Sequence, residues 1–435
     1  MGLESVGDLA INEILKKLGP EDIARVGLVS KRFKVSVSDD TLWFKICFHD
    51  LDLTQPVDHL GNPLPSFKEA YQTWREAFIM YPWSLVKRVK RCWDRIKTWL
   101  TNNFPEAEAT LCKGASETEI QELENALKVK LPLPTRILYR FHNGQEISKA
   151  DSLGLIGGYS FYSHLVNVFL LPINQVIRET QKITRRVGFF RRSKYVLVAH
   201  SSTYSAKLFF LNCANGQLYV GTRKILTDGE MIPCVPHDLI SLRHDLNNDQ
   251  QQDAMLLWLE EHGRRLQNGL IKLHEEGNER SINLFPEEPP LCSTAVTNGV
   301  KVRASALVIP ELADLQDDLE KFYFAYSIRM SLEPKGCIVN GMSFTSCQLH
   351  WRHWIICAND TVVSDVNGEA VVGQFPLLCP GDKEFVYQSC TPLPTSSGSV
   401  EGSFTFVPGS LATPRGDPFL ATVARFPLQL PDYVF

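Results

Sequence analysis

The 435-residue sequence contains no Cys-x-x-Cys pair, no run of apolar residues long enough to cross a bilayer and no large excess of either charge. Each absence removes a class of function. Its eleven cysteines are odd in number and scattered, which points to reduced thiols rather than a disulfide framework. The formal net charge of −4 gives neither an obvious nucleic-acid binder nor an acidic tail. The most apolar stretch, 165–173, is short and broken by Asn167 and Pro172. The opening MGLESVGDLAINEIL has acids among its apolar residues and no cationic n-region, and Val6 stands where myristoylation needs Ser or Thr. The expectation is a cytoplasmic or nuclear protein without membrane attachment, in which the Asn359-Asp360-Thr361 sequon is accidental. GxSxG, HExxH, P-loop and kinase words are also missing, so no catalytic residue, metal or cofactor is assigned.

What is present is ordinary globular composition, 44% hydrophobic and 22% charged, in a length suited to two to four domains. Helix signals crowd the first 50 residues. Asp8 is placed to cap a helix with apolar Ile11, Ile14, Leu15 and Leu18 on one stripe. Gly19-Pro20 ends that helix and opens another holding Ile23 and Val26. Ser30 is placed to cap a third helix with Phe33, and Asp40 a fourth with Leu42, Trp43 and Ile46. So small a module cannot bury all its apolar surface alone, which implies a protein interface.

The run from Leu9 through Ile14, Leu15 and Leu18, then Leu28-Val29-Ser30-Lys31-Arg32-Phe33 and Asp40-Thr41-Leu42-Trp43, resembles an F-box. Ala10 follows Leu9 where that family usually has proline, which removes some contact area. The resemblance implies docking to a Skp-type adaptor, and through it to a cullin/RING ligase. The residues it assigns to that contact are Leu9, Ile14, Leu15, Leu18, Leu28, Val29 and Trp43.

From 83 to 100 the sequence is helical and basic, with Lys87, Arg88, Lys90, Arg91, Arg95 and Lys97 among Trp83, Trp93 and Trp99. Cations with interleaved rings suit a single-stranded nucleic acid, but an amphipathic linker helix with solvated cations is the preferred reading. Ser116 and Glu119 then form a capping box. The series Gly114-Ala115-Ser116, Glu119-Ile120, Leu123-Glu124, Leu131-Pro132 and Asn143-Gly144 resembles a SUKH (Smi/Knr-like) domain, which implies an α+β, protein-binding fold. Strand-like runs follow at 195–199, 208–211 and 217–220, with Asn215-Gly216 as a hairpin signal. A second basic cluster, Arg185, Arg186, Arg191, Arg192 and Lys194, flanks Gly188-Phe189-Phe190 and reads as a solvated loop more than a nuclear-import or phosphate patch. Met255, Leu259, Leu266, Leu270 and Leu273 predict one long helix over 249–276, and the prolines of 278–292 a linker.

Beyond 293 the pattern becomes short strands and turns: 301–308, 322–330, 347–356, 371–378, 384–390, 400–407 and 419–427. Seven strands predict an all-β sandwich. Phe324-Ala325-Tyr326-Ser327-Ile328, Arg352-His353-Trp354-Ile355-Ile356, Val371-Val372-Gly373-Gln374-Phe375-Pro376 and Gly398-Ser399-Val400-Glu401-Gly402 resemble an ApaG domain, implying a fibronectin III-like sandwich. Extra residues at 334–346 and a longer turn at 359–367 depart from that pattern. The chain is thus read as multidomain: a small all-α F-box over 1–50, a helical linker over 51–103, a SUKH-like domain over 104–276, a linker over 277–292 and the ApaG domain over 293–435.

Two sites tempt. Cys347, His350, His353 and Cys357 have ligand-like spacing, but in one strand the two cysteines stand about 33 Å apart, too far for one metal. The glycine-bearing stretch Gly368-Glu369-Ala370-Val371-Val372-Gly373 aligns with a loop of bacterial ApaG suspected of binding phosphate, which makes Gly368 and Gly373 candidates. Ala370 replaces the middle glycine and no βαβ unit surrounds it, so a structural turn is preferred. The expected function is a non-catalytic adaptor: the F-box docks to the ligase while the SUKH and ApaG domains hold an unidentified protein target. The alternatives are an ApaG-based phosphate or nucleotide binder and a scaffold acting outside any ligase.

Overall fold

A computed structural model describes residues 7–146, 152–162, 164–186, 194–201, 203, 207–242, 251–276 and 279–435. Four helices open it: α1 (Asp8–Leu15), α2 (Pro20–Val26), α3 (Lys31–Ser36) and α4 (Asp40–Leu51). Ser30 caps α3 by accepting from the Phe33 N–H at 3.3 Å. The other two expected caps shift by one residue. Gly7 precedes α1, and Asp8 lies in its first turn, where it favours the helix dipole and pairs with Arg32 at 2.6 Å. Asp39 caps α4, which frees Asp40 to accept from the Phe67 N–H at 2.8 Å and stitch the module to the next helix.

That next pair, α5 (Phe67–Ala77) and α6 (Trp83–Asn103), joins the module to the middle domain. Trp43 meets Tyr71 of α5 at 5.5 Å between rings, and the Trp93 ring of α6 meets His142 at 4.7 Å. Four of the six cations of α6 are engaged by protein groups. Arg88 donates to both Glu260 oxygens and to Gln252, Arg91 to Asp52, Lys90 to Asp94 and Lys87 to the His49 carbonyl. Segment 51–103 is therefore a packed bridge rather than a loose linker.

The middle domain sets α8 (Glu117–Leu127), α9 (Leu133–Phe141), α10 (Ile173–Arg186) and α11 (Ala254–Gln267) about one sheet; a single-turn α7 (Pro105–Glu108) precedes them. The sheet runs through β1 (Gly157–Phe161), β2 (His164–Leu170), β3 (Tyr195–Ser201), β4 (Leu208–Asn212), β5 (Leu218–Gly221), β6 (Met231–Pro233), β7 (Lys272–Glu276) and β8 (Glu279–Asn283). Their order is β6-β5-β4-β3-β2-β1-β8-β7. The expected capping box at Ser116 and Glu119 is formed. The long helix expected over 249–276 is not. Gly269 takes a φ of +69° just after α11, and 272–276 turns into β7, paired with β8. Leucines at helical spacing thus straddle a helix, a glycine stop and a strand. Residues 187–193 of the second basic cluster, 249–250 of that helix, and Gly277 and Asn278 lie outside the described residues.

The C-terminal sandwich packs one sheet of β9 (Cys292–Thr297), β10 (Val300–Val308), β11 (Phe322–Leu332) and β17 (Phe385–Leu393) on a second. The second holds β14 (Cys347–Ala358), β15 (Thr361–Glu369), β18 (Ser397–Pro408) and β19 (Phe419–Gln429) in the order β15-β14-β18-β19, with β16 (Leu377–Leu378) also on β14. The turn expected over 359–367 is only the tip of a hairpin: Asn359 takes a φ of +51°, and 361–369 is the strand β15. The extra residues at 334–346 make a small hairpin of β12 (Cys337–Val339) and β13 (Met342–Phe344). Of the strand expected at 371–378 only β16 forms, since Val371 and Gln374 close a tight turn on each other.

In β11 the alternating face Phe322, Phe324, Tyr326, Ile328 and Met330 is buried, and Ala325, Ser327 and Arg329 opposite are buried too. The middle domain and the segment that follows it reach that second face. Ser160 of β1 donates to Gln388 of β17 at 2.9 Å, and Arg329 pairs with Glu287 at 2.9 Å. The far end of the chain returns as well: Trp258 of α11 donates to the Val434 carbonyl at 2.8 Å and stacks on Phe435 at 5.3 Å.

Candidate functional site

The N-terminal helices bring the seven proposed contact residues into two groups. Ile11, Leu15, Ile23, Phe33, Val37, Leu42 and Trp43 are buried and form the inside of the module. Leu15 and Trp43, two of the residues assigned to the adaptor contact, are thus among the buried ones. The Trp43 indole donates to the Val37 carbonyl at 2.7 Å and fixes the turn between α3 and α4. An amphipathic stripe does not show which of its edges faces inward, so the burial of these two could not be read from the sequence.

Ile14, Leu28 and Val29 are 47%, 87% and 72% exposed. These are the assigned residues that remain free to meet another protein. Leu18 is half-buried, and the Leu9 side chain lies outside the described residues although its backbone belongs to α1. Three further large apolar residues of the module are exposed and were not assigned: Val35 (75%), Phe48 (53%) and Phe44 (39%). Each carried a signal. In a six-residue helix that buries Phe33, Val35 two positions on must point elsewhere. Phe44 and Phe48, an i, i+4 pair with ring centroids 6.1 Å apart, lie off the Trp43–Cys47 face of α4.

The glycine-bearing stretch is pinned by its own backbone. Gly368, next to last in β15, lies opposite Arg352, whose guanidinium donates to the Ala370 carbonyl at 2.9 Å. The Ala370 N–H donates to His350 and the Val371 N–H to Gln374, at 3.1 and 3.0 Å. Two donors that an anion would need are thus already engaged, and Gly373 sits in the turn with a φ of +75°. β14 runs unbroken from Cys347 past Cys357, and His353 bonds Asp365 at 2.8 Å, so the metal-like spacing describes one extended strand. Burial pushes the Cys47 and Cys213 thiols up to about 12, which leaves neither a ready nucleophile at neutral pH.

Three family models match in order along the chain: F-box-like over 11–49, the SMI1/KNR4 family (SUKH-1) over 114–235 and the ApaG domain over 313–408. The chain is 57% identical over 440 residues to F-box protein SKIP16 of Arabidopsis thaliana, with 100% of each chain covered. It is 25% identical over 421 residues to human F-box only protein 3, covering 93% of this chain and 79% of that one. Over 138 residues, 32% of this chain and 93% of the other, it is 36% identical to protein ApaG of Afipia carboxidovorans. The three resemblances drawn from short words in the sequence, and the fold class they implied, hold. The chain belongs to the F-box protein family, as a member that carries an F-box, a SUKH domain and an ApaG domain in succession.

Proposed function

We propose that this chain is the substrate-recognition subunit of an SCF-type (Skp–cullin–F-box) ubiquitin ligase and performs no bond chemistry itself. The observation that carries this reading is the set of uncovered apolar side chains Ile14, Leu28, Val29 and Val35 on a helical module too small to enclose them. A Skp-type adaptor would cover them and link the chain to the cullin. The SUKH and ApaG domains would hold the target. The packed bridge of α5 and α6 then matters mechanically: with Arg88 held by Glu260 and Arg91 by Asp52, the docking module and the receptor keep a fixed separation. A target held so raises the local concentration of its lysines near the charged conjugating enzyme, which is catalysis by proximity.

The test is Leu28→Asp/Val29→Asp in the full chain. Both side chains point to solvent, so the fold should survive, whereas adaptor docking would bury two uncompensated carboxylates. Each costs on the order of 3 kcal/mol, or roughly 100-fold in affinity. Co-purification with the Skp-type adaptor and cullin should be lost. Retention at normal yield would overturn the assignment, and recovery of wild-type chain without any cullin would favour the scaffold reading.

A further inference from the structure

The free edge of the C-terminal sandwich carries more uncovered apolar surface than a sheet edge usually tolerates. β14 pairs with β18 along one side. Along the other it pairs with β15 from Trp351 to Ala358 and with β16 at Cys347 and Gln348. Among the described residues no strand pairs with the far side of β15. Val362, Val363 and Val366 of β15, Val372 and Phe375 of the turn after it, and Leu377 of β16 are all exposed. Val366 lies opposite Trp354, whose ring is buried, and yet is itself uncovered, so β15 overhangs the sandwich.

Folded proteins usually blunt such an edge with lysine, proline or a covering loop. Here the strand Thr-Val-Val-Ser-Asp-Val-Asn-Gly-Glu carries the carboxylates Asp365 and Glu369, with Asp360 in the turn before it; Asp365 is bonded to His353 at 2.8 Å and Asp360 lies 3.9 Å from Arg425, yet both carboxylates stay exposed. The turn after it holds Val372 at a φ of +44°, a position suited to glycine or asparagine, and so keeps an exposed isopropyl group at the same edge. Strain of this kind concentrates where a surface is used.

We infer that this edge is the seat of an extended segment of the protein target, added as a further strand on β15, its apolar residues alternating with lysine or arginine. The inference rests on the receptor reading above and names the element and ligand chemistry by which the receptor works. The unpaired backbone of β15 supplies the main-chain hydrogen bonds of strand addition, and the valines supply side-chain contact. Glu369, together with the acceptor capacity that exposed Asp365 and Asp360 keep beyond His353 and Arg425, favours a basic partner. The carboxylates also disfavour a second copy of this chain, since antiparallel self-pairing about the strand centre sets Asp365 against Asp365.

The experiment uses the full-length chain and a fluorescein-labelled peptide of alternating valine and lysine, with a valine–glutamate peptide of equal length as control. Anisotropy should show binding of the lysine peptide only, and amide exchange over 361–369 should slow when it binds. Val362→Lys/Val366→Lys should weaken binding at least about tenfold. Leu28→Asp/Val29→Asp should leave it unchanged, which separates failure of this inference from failure of the ligase reading. Equal binding of the two peptides, equal binding by the double-lysine variant, or unchanged exchange at 361–369 in the wild-type chain overturns the proposal. A concentration-dependent dimer abolished by Val366→Lys overturns it in favour of a second copy.

Discussion

Lys207 and Glu311 meet at 3.1 Å across the junction of the middle and C-terminal domains, both side chains wholly buried. The carboxylate also accepts from the Tyr159 hydroxyl at 2.6 Å and contacts His164 at 3.0 Å, while Lys207 donates to the Phe435 carbonyl at 3.1 Å. A buried ion pair adds little over a well-packed apolar pair, but breaking one side leaves an uncompensated charge. Glu311→Ala should therefore cost about 3–5 kcal/mol, read as a lowered chemical-denaturation midpoint. Lys207→Met/Glu311→Leu should recover most of that loss. A double variant no better than the single one would show that the pair is needed as ions.

Acid should loosen the molecule in two stages. Burial holds the imidazoles of His262 and His142 down to about 4, with Lys97 adding to the effect on His142. The unfolded chain binds these protons from about pH 6.5, so stability is full above that point and falls as pH drops, by up to about 1.4 kcal/mol per unit for each histidine. Glu311 acts lower. Burial alone would raise its carboxyl, but Lys207, His164 and Tyr159 outweigh that and hold it at about 2. Its contribution is present above about pH 4.5 and is lost as pH falls toward 2. Melting temperatures should hold from pH 7.5 to about 6.5 and decline from there to pH 4, and His262→Gln should flatten that decline.

The sequence showed class and order well, and contact partners poorly. Capping boxes, alternation and turn words are local, so Ser116, β11 and the all-β character of the last domain were legible, whereas β15 was read as a turn and 371–378 as a whole strand. The misreadings came where a local signal was ambiguous about a distant neighbour. Leu270 and Leu273 keep helical spacing with Leu266, yet Gly269 stops the helix and the sheet takes the rest. Alternation alone also leaves open whether Ser327 and Arg329 of β11 face solvent; both are buried. At the candidate site Leu15 and Ile14 are adjacent apolar residues on one helix. Only the position of α2 and α3 decides that one is core and the other surface.

The bridge offers a third test. Arg88 and Glu260 form a two-point pair at 2.8 and 2.7 Å between α6 and α11, both partly sheltered from water. Glu260→Ala leaves the guanidinium with Gln252 as a remaining partner, and should cost about 1 kcal/mol. Because this pair ties the bridge to the receptor, limited proteolysis between α5 and α6 should accelerate more than the melting temperature falls. An unchanged cleavage rate would place the rigidity in the apolar packing of Trp93 and Ile96 instead.

The division of the docking module into inside and outside gives the sharpest contrast. Trp43→Ala removes a buried ring and its bond to the Val37 carbonyl, and should cost about 3–5 kcal/mol of stability. It should reduce adaptor binding only through the loss of folded module, so stabilising osmolyte should restore binding in parallel with helicity. Val35→Asp should do the reverse, leaving the melt within about 0.5 kcal/mol of wild type while weakening the adaptor complex about tenfold. Circular dichroism and an adaptor pull-down on the same two samples read both effects. If Val35→Asp bound the adaptor normally while Leu28→Asp did not, the contact surface would lie on the α2–α3 turn and stop short of the second half of α3.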